Sequence, residues 1–551
     1  MRLHRLLVCA ALLSVLAACG GGDGGSPPSA GGAPPPVGGT PLPVVNATDI
    51  ETKADAADFL RQAGFGGTED KIDALTGGSA VTWVQQQLAL SPRGYKANLA
   101  SRLSDDQSKF PQVSQLFYET LLGTDSELRA RMTFALSQLF VINGNEFFNE
   151  GRALAEWVDI LDRNAFGNYR DLMDDVTRSP IMGKYLTFLN NQKGNPAKGR
   201  EPDENYAREL LQLFTIGLVE LNMDGTTRLG SNGQPIDTYS NDDVVGLARV
   251  FTGYTLAGTS PRWRDRFPDA WERPMMMNED AHSLRQKRFL GSVIAENTPG
   301  EASIEQALDT IFAHPNLAPF VSRQLIQRFT AYDPDPAYVG RVANAFETGR
   351  FVADTGAAFG TDERGDLSAT LAAILLDPTV HDDERPAREG KVREPVLNFV
   401  HVARVYQGTA PDLVKTGWSV FADTSDVSNQ LSQSPLRSPS VFNFYRPGFV
   451  AAGTETGDLG LTAPELQIVN AGSAVGYMNF MFDFISRTDG TNTVIPDFTD
   501  EMALANDPDA LLDRIDLSLT AGRMTDATRA AIKDAVEALP IRSNNDEADR
   551  R

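Results

Sequence analysis

The chain has 551 residues and a formal net charge of −23, and its only cysteines are Cys9 and Cys19. So acidic a surface argues against nucleic acid and anionic lipid head groups as direct ligands, since both repel negative charge. Because both cysteines lie near the start, the rest of the chain has no thiol and can form no disulfide, thiolate metal site or cysteine nucleophile. No apolar run is long enough to span a bilayer.

The first 18 residues predict a secretory leader. Two arginines open it, residues 6–16 are apolar, and the small residues Ala17 and Ala18 precede Cys19. The apolar run is too short for a spanning helix and is typical of an export signal. A cysteine directly after small residues resembles a bacterial lipobox, which implies cleavage before Cys19 and lipidation of that cysteine. The alternative is an ordinary cleaved leader with a chance cysteine.

Residues 19–45 are predicted to be the lipidated cysteine and a flexible tether. Glycine, proline and serine dominate them, and this composition cannot form a core. The tether favours the lipoprotein interpretation, with the membrane as a partner through the lipid on Cys19. Gly20, rather than aspartate, follows the cysteine. In Gram-negative lipoproteins that residue favours the outer membrane, so we expect an exported protein anchored there.

Residues 46–542 are predicted to form a mostly α-helical body with irregular loops, followed by a polar tail at 543–551. Apolar residues recur at helical spacing in many segments, such as the one that begins after Ser126. Ser240 and Asp243 have the spacing of a capping box.

Strand signals are few. The dipeptides Asp224-Gly225 and Asn232-Gly233 suit tight turns, so one small β-hairpin is predicted in residues 217–240.

The densest polar cluster on a predicted helix is DENYARE, residues 203–209. Glu204 and Arg208 are four residues apart and share a helix face. The simpler interpretation is a solvated helix start whose acids favour the helix dipole. The functional interpretation is a carboxylate-rich site: Glu204 and Glu209 bind a divalent metal or act as acid and base, and Arg208 fixes one carboxylate.

The second cluster is HSLRQKRFLG, residues 282–291. His282 is a candidate catalytic residue and the third candidate metal ligand, although a lone histidine is more often structural. Lys287 is a candidate catalytic cation. A third block, residues 434–448, is rich in proline and aromatic residues and predicts an ordered loop. Its Arg437 and Arg446 are expected to bind an anion or the carboxylates of the first cluster.

Several sequence signatures of known enzymes are missing. There is no G-x-S-x-G, H-E-x-x-H, Walker A or strand-linked G-x-G-x-x-G pattern. The motifs that are present, in order over about residues 54–482, resemble a bacterial family called domain of unknown function 1800. Two departures are Asp203, where the family usually has asparagine, and Ser283, where it usually has aspartate. The resemblance rests on the blocks FLRQAGFGGT, RSPIMGKYL, DENYARELLQLFTIGL, TYSNDDVVGLARVFTGYT, HSLRQKRFLG, KVREPVLNFVHVARVY and QSPLRSPSVFNFYRPG.

The resemblance implies a mostly helical exported or surface protein and supplies no reaction. It also implies a partner, because genes of this family often lie beside genes of a sulfatase-like exported family, domain of unknown function 1501. We therefore expect a lipid-anchored cell-envelope protein that binds or helps assemble another exported protein or an envelope glycan. The alternative is a metal-assisted hydrolase that uses the glutamate, arginine, histidine and lysine side chains of the two clusters.

Overall fold

A computed structural model of the chain describes residues 49–381, 390–406, 412–414, 420–487 and 494–539. The predicted leader, Cys19, the tether and the polar tail lie outside the described residues. Helices dominate the part that is described, which confirms the predicted mostly α-helical body. No helix of this part combines the length and apolarity that crossing a membrane requires.

The helices of the first half are short to medium in length and follow one another closely. In chain order they are α1 (Lys53–Ala63), α2 (Glu69–Leu75), α3 (Ala80–Leu88), α4 (Tyr95–Arg102), α5 (Phe110–Gly123), α6 (Glu127–Leu139), α7 (Gly151–Arg163), α8 (Tyr169–Arg178), α9 (Pro180–Tyr185), α10 (Asn205–Glu209) and α11 (Asn241–Ala248). A π-helical segment, Leu210–Thr215, continues α10.

The helices of the second half are α12 (Gly300–Phe312), α13 (Leu317–Phe329), α14 (Pro336–Thr348), α15 (Leu367–Leu375), α16 (Pro395–Val405), α17 (Glu455–Asp458), α18 (Ala471–Ile485), α19 (Thr499–Ala503), α20 (Pro508–Ile515) and α21 (Asp526–Glu537). A second π-helical segment, Asp516–Thr520, continues α20.

The described strands are two or three residues long and form four separate antiparallel pairs. The pairs are β1 (Asp49–Ile50) with β2 (Gly78–Ser79), β3 (Tyr254–Thr255) with β4 (Met276–Met277), β5 (Lys287–Phe289) with β6 (Ser292–Ile294), and β7 (Phe351–Val352) with β8 (Ala358–Phe359).

The predicted hairpin in residues 217–240 contains the expected turns, and its chain pairs through isolated bridges instead of continuous strands. Gly225 and Gly233 have φ angles of 75° and 74°, which glycine adopts without strain. The flanking chain makes only isolated antiparallel bridges, such as Leu221 with Thr227. The segment therefore pairs as a small hairpin of isolated bridges, and four further small strand pairs lie elsewhere in the described residues.

Helix α6 lies at the centre of the core, because every one of its residues is buried. It packs against α3, α7 and α13. Leu128, Phe134 and Leu136 supply apolar contacts, but α6 also carries Arg129 and Arg131 into the interior. A helix that is buried on all sides must satisfy such polar groups inside the protein. Helix α6 therefore brings charge into the core.

The two predicted helix starts differ in how they are capped. At α11 the Ser240 hydroxyl accepts from the Asp243 amide, and the Asp243 carboxylate accepts from the Ser240 amide at 2.7 Å. This reciprocal pair confirms the predicted capping box. Ser126 precedes α6 as expected, but its side chain makes no capping hydrogen bond.

Candidate functional site

The first predicted cluster lies where α10 begins. Glu204 occupies the N-cap position of this helix without a side-chain capping hydrogen bond, and its Oε2 lies 3.0 Å from Nη2 of Arg208. Both side chains are more than one-third exposed. Arg208 also reaches the side chain of Asn241 at 3.4 Å. The pairing predicted from the four-residue spacing is therefore present, as an ion pair screened by solvent.

Glu209 lies in a different environment from Glu204, although both belong to the same cluster. Its side chain is buried, and its Oε2 has no hydrogen-bond partner. Burial raises the pKa of Glu209. The charge of the neighbouring Arg208 lowers this pKa, but by less than burial raises it. The π-helical segment Leu210–Thr215 begins directly after it, and such segments often occur at functional sites. These features suit Glu209 to donate a proton, or to bind a metal ion through its unpaired Oε2.

His282, in the second cluster, is fully buried. Its Nδ1 lies 2.8 Å from the carbonyl oxygen of Thr252. A carbonyl can only accept, so Nδ1 carries the proton and Nε2 keeps its lone pair. Nε2 has no hydrogen-bond partner. Burial lowers the pKa of His282, so the ring is neutral near pH 7.

The backbone around His282 is held tightly. The Ser283 amide donates to the Thr252 hydroxyl at 2.9 Å, next to the histidine contact with the Thr252 carbonyl. Gly253 has a φ of 103°, and a Cβ atom there would lie 2.7 Å from the sulfur of Met277. Only glycine therefore fits at position 253, which follows Thr252 and packs closely against Met277 and His282.

Lys287, on β5, is also fully buried. Its ammonium donates to the hydroxyl of Ser303 at 3.0 Å. Burial lowers the pKa of Lys287 to about 8, and the charge of Glu279 opposes this shift. Glu279 accepts from the amide of Gly300, the first residue of α12, at 3.0 Å. Lys287 therefore contacts the first turn of α12, and the pKa of its amine is lowered to about 8.

A cavity of about 210 Å³ lies next to His282 in the chain: Ser283 lines it, whereas His282 itself does not. The chain that forms it is fixed by backbone hydrogen bonds, such as the one of 2.8 Å from the Asn297 amide to the Leu284 carbonyl. The walls combine two cations with one carboxylate and neutral groups. They are formed by Lys193, Gly194, Ser283, Leu284, Arg285, Glu296 and Asn297. This lining suits a polar ligand group that bears negative charge.

The three predicted metal ligands are not gathered into one group. Among the residues that the structure describes, no three His, Cys, Asp or Glu side chains are placed to hold a metal ion. Glu204 is paired with Arg208, whereas Glu209 and His282 each keep one buried atom without a partner.

The loop arginines do not contact the first cluster. Arg437 pairs with Asp423 at 3.2 Å and donates to the carbonyl of Ala422. Arg446 is exposed. The expectation that these arginines tie down Glu204 or Glu209 is not met, because Arg437 instead contacts Asp423, Asn145 and the ring of Phe110.

Sequence reasoning missed a second polar centre, which is buried in the core. Oε2 of Glu394 accepts from Gln138 at 2.7 Å, from Gln433 at 2.6 Å and from Tyr445 at 2.9 Å. The blocks KVREP and QSPLRSPSVFNFYRPG supply three of these four side chains. The glutamate of the first block and the glutamine and tyrosine of the second block are the sequence signal for this centre.

A comparison with family models gives a match over most of the chain. The model described as protein of unknown function (DUF1800) matches residues 58–549, a range that includes both clusters, the cavity and the buried centre. Comparisons with curated proteins and with solved structures found no match. The chain therefore belongs to the DUF1800 family of proteins of unknown function.

Proposed function

We propose that this protein is a lipid-anchored cell-envelope protein that binds another exported protein or an envelope glycan. The observation that carries the proposal is the cavity lined by Ser283, with Lys193 and Arg285 on its walls. The leader, Cys19 and the tether support an anchored location, with the outer membrane as the proposed site. Such an arrangement presents the cavity to ligands in the envelope.

The charge of the cavity contrasts with that of the chain. A chain with a net charge of −23 repels most acidic ligands, but Lys193 and Arg285 attract them locally. Glu296 and Asn297 can bind hydroxyl or amide groups of the same ligand. An acidic sugar of an envelope glycan, or an acidic segment of an exported protein, has this chemistry. The sulfatase-like exported family that the resemblance implies is one candidate partner.

Site-specific photo-crosslinking tests this proposal in living cells. A photoreactive residue is placed at Leu284, which lines the cavity and is 40% exposed. The matched control is the same residue at Val352, which is 49% exposed and lies outside the cavity lining. We expect a discrete adduct from Leu284 alone, and its loss in the Arg285→Glu variant. Equal adducts from both positions, or none from Leu284, would argue against binding at the cavity.

The second candidate function is a metal-assisted hydrolase. It is favoured by two buried ligand atoms without partners, Oε2 of Glu209 and Nε2 of His282. Its test is the metal content of the purified protein, compared with Glu204→Ala, Glu209→Ala and His282→Ala variants that remain folded. Stoichiometric metal that is lost in the variants would support the hydrolase. Absence of metal from the folded wild-type protein would eliminate this mechanism.

A further inference from the structure

The two cations of the cavity have no side-chain partner within the described part of the chain. Lys193 and Arg285 line the cavity, and neither side chain makes an ion pair or a hydrogen bond with another described residue. Many other arginines of this chain are paired with acids; Arg170, for example, contacts Glu305 and Asp309. The charges of Lys193 and Arg285 are therefore available to a ligand that enters the cavity.

Glu296 lines the same cavity and pairs with neither of these cations among the described residues. An ionised carboxylate only accepts hydrogen bonds, so its partner in a ligand must be a donor such as a hydroxyl group. The side-chain amide of Asn297, also in the lining, both donates and accepts. The cavity therefore suits a ligand that carries a negative group and, separately, hydroxyl donors.

The balance of charge favours a ligand with a single negative charge. Two cations and one carboxylate give the lining a net charge of +1. Nε of Arg200 donates to the carbonyl of Lys193 at 3.1 Å, and Glu201 adjoins Gly194, but these two flanking charges are opposite and leave the balance unchanged. A phosphate monoester carries about −1.5 to −2 charges at pH 7 and would leave excess negative charge, whereas a carboxylate matches the lining.

The size of the cavity limits the ligand to one small unit. Its volume of about 210 Å³ lies below the roughly 300–1,000 Å³ of sites that enclose drug-sized ligands. It equals the volume of about seven water molecules at ~30 Å³ each, which is enough for a single sugar ring. Leu284, which is 40% exposed, offers an apolar surface to the C–H groups of such a ring.

The chain segments that form the cavity are joined before any ligand binds. The amide of Lys193 donates to the carbonyl of Ala281 at 2.8 Å, and the amide of Asn297 donates to the carbonyl of Leu284 at 2.8 Å. These two bonds tie together the three segments that line the cavity. A site that is already formed loses less entropy when it binds a rigid ring.

We propose that this cavity binds one terminal uronic acid residue of an envelope glycan. The carboxylate of the sugar accepts from Arg285 and Lys193, and its ring hydroxyls donate to Glu296. The acidic side chain of a peptide offers a carboxylate without these hydroxyls, so Glu296 repels it. The inference rests on the proposed function and narrows its ligand from an acidic glycan or protein to one class of sugar.

Ligand-detected NMR titration of the full purified chain in detergent tests the class of ligand. The probes are the methyl glycosides of glucuronate and galacturonate, with methyl glucoside as the neutral sugar and N-acetylglutamate amide as the acidic peptide unit. We expect one uronate glycoside to bind at least about tenfold more tightly than the neutral sugar and the glutamate derivative. Arg285→Gln should weaken this binding about tenfold, whereas the exposed control Arg262→Gln should not change it.

Glu296→Ala separates recognition of hydroxyls from simple repulsion. The uronate glycoside and the glutamate derivative carry the same charge, so loss of the carboxylate changes the electrostatic repulsion of both equally. The preference for the uronate should therefore fall about tenfold in this variant, because only the sugar loses hydrogen bonds. All of these variants change exposed side chains, and their melting temperatures should equal that of wild type.

An unchanged preference in Glu296→Ala, tighter binding of the glutamate derivative, or no binding of either uronate glycoside would overturn this inference. If the photo-crosslink at Leu284 still forms in cells, the proposed function survives that result and the ligand is of another class. If neither the crosslink nor uronate binding is observed, both proposals fail.

Discussion

The ammonium of Lys287 lies 3.0 Å from the hydroxyl of Ser303, and both side chains are fully buried. Burial lowers the pKa of this lysine to about 8, from an ordinary value of 10.5 in the unfolded chain. Between these two values the unfolded state binds more protons than the folded state. The free energy of unfolding therefore rises with pH across this window.

Replacing Lys287 with methionine should remove this dependence on pH. We expect the difference in unfolding free energy between Lys287→Met and wild type to shrink by up to about 3 kcal/mol from pH 8 to 10.5. Urea denaturation at a series of pH values measures this difference. Tyrosine ionisation affects both proteins equally and therefore cancels. Lys198→Met, at an exposed lysine, should follow wild type. A constant difference across the window would show that the lysine titrates normally.

Glu209 should respond to pH in the opposite direction. Because burial raises its pKa in the folded state, its carboxylate form destabilises the protein above the ordinary value of 4.5. We expect Glu209→Gln to raise the melting temperature at pH 7 and to have no such effect at pH 4 or below. Scanning calorimetry at both pH values checks this. A lower melting temperature at pH 7 would mean that the carboxylate has a favourable partner.

The capping box of α11 predicts a contrast between two serines. Ser240→Ala removes a capping acceptor and should cost about 1 kcal/mol. Asp243→Ala should cost more, because Oδ1 of Asp243 also accepts from the Leu290 amide at 2.7 Å. Ser126→Ala, at a cap position without a side-chain bond, should change stability by less than about 0.5 kcal/mol. Equal losses at both serines, measured by urea denaturation, would contradict the assigned caps.

Glu394 should be important for stability, because its Oε2 accepts three buried hydrogen bonds. Glu394→Gln replaces charge-assisted bonds with neutral ones and should cost about 2 kcal/mol. Tyr445→Phe removes one donor and should cost about 1 kcal/mol. Guanidinium denaturation measures both, with Glu363→Gln as an exposed control. If Glu394→Gln unfolds at the same guanidinium concentration as the Glu363→Gln control, the three hydrogen bonds to Glu394 contribute no net stability.

Local spacing predicted the features that depend on neighbouring residues. The contact between Glu204 and Arg208 and the box formed by Ser240 and Asp243 follow from spacings of four and three. Helix content was equally predictable, because apolar periodicity extends over many segments.

Features that depend on distant packing were not predictable in this way. Gln138 and Glu394 are 256 residues apart, and only the packed fold brings them together. Glu204 lies at the exposed start of α10, whereas Glu209 lies at its buried end, where the chain enters a π-helical segment. No spacing rule for a regular α-helix predicts that segment.

We propose that this protein is anchored in the cell envelope through Cys19. The most direct measurement is the mass of the N-terminal peptide of the mature protein, isolated from the membrane fraction. We predict a peptide that begins at Cys19 and carries covalently attached acyl chains, and failure of this processing in Cys19→Ser. A mature chain that begins at another residue, or an unmodified Cys19 in the membrane fraction, would contradict the account.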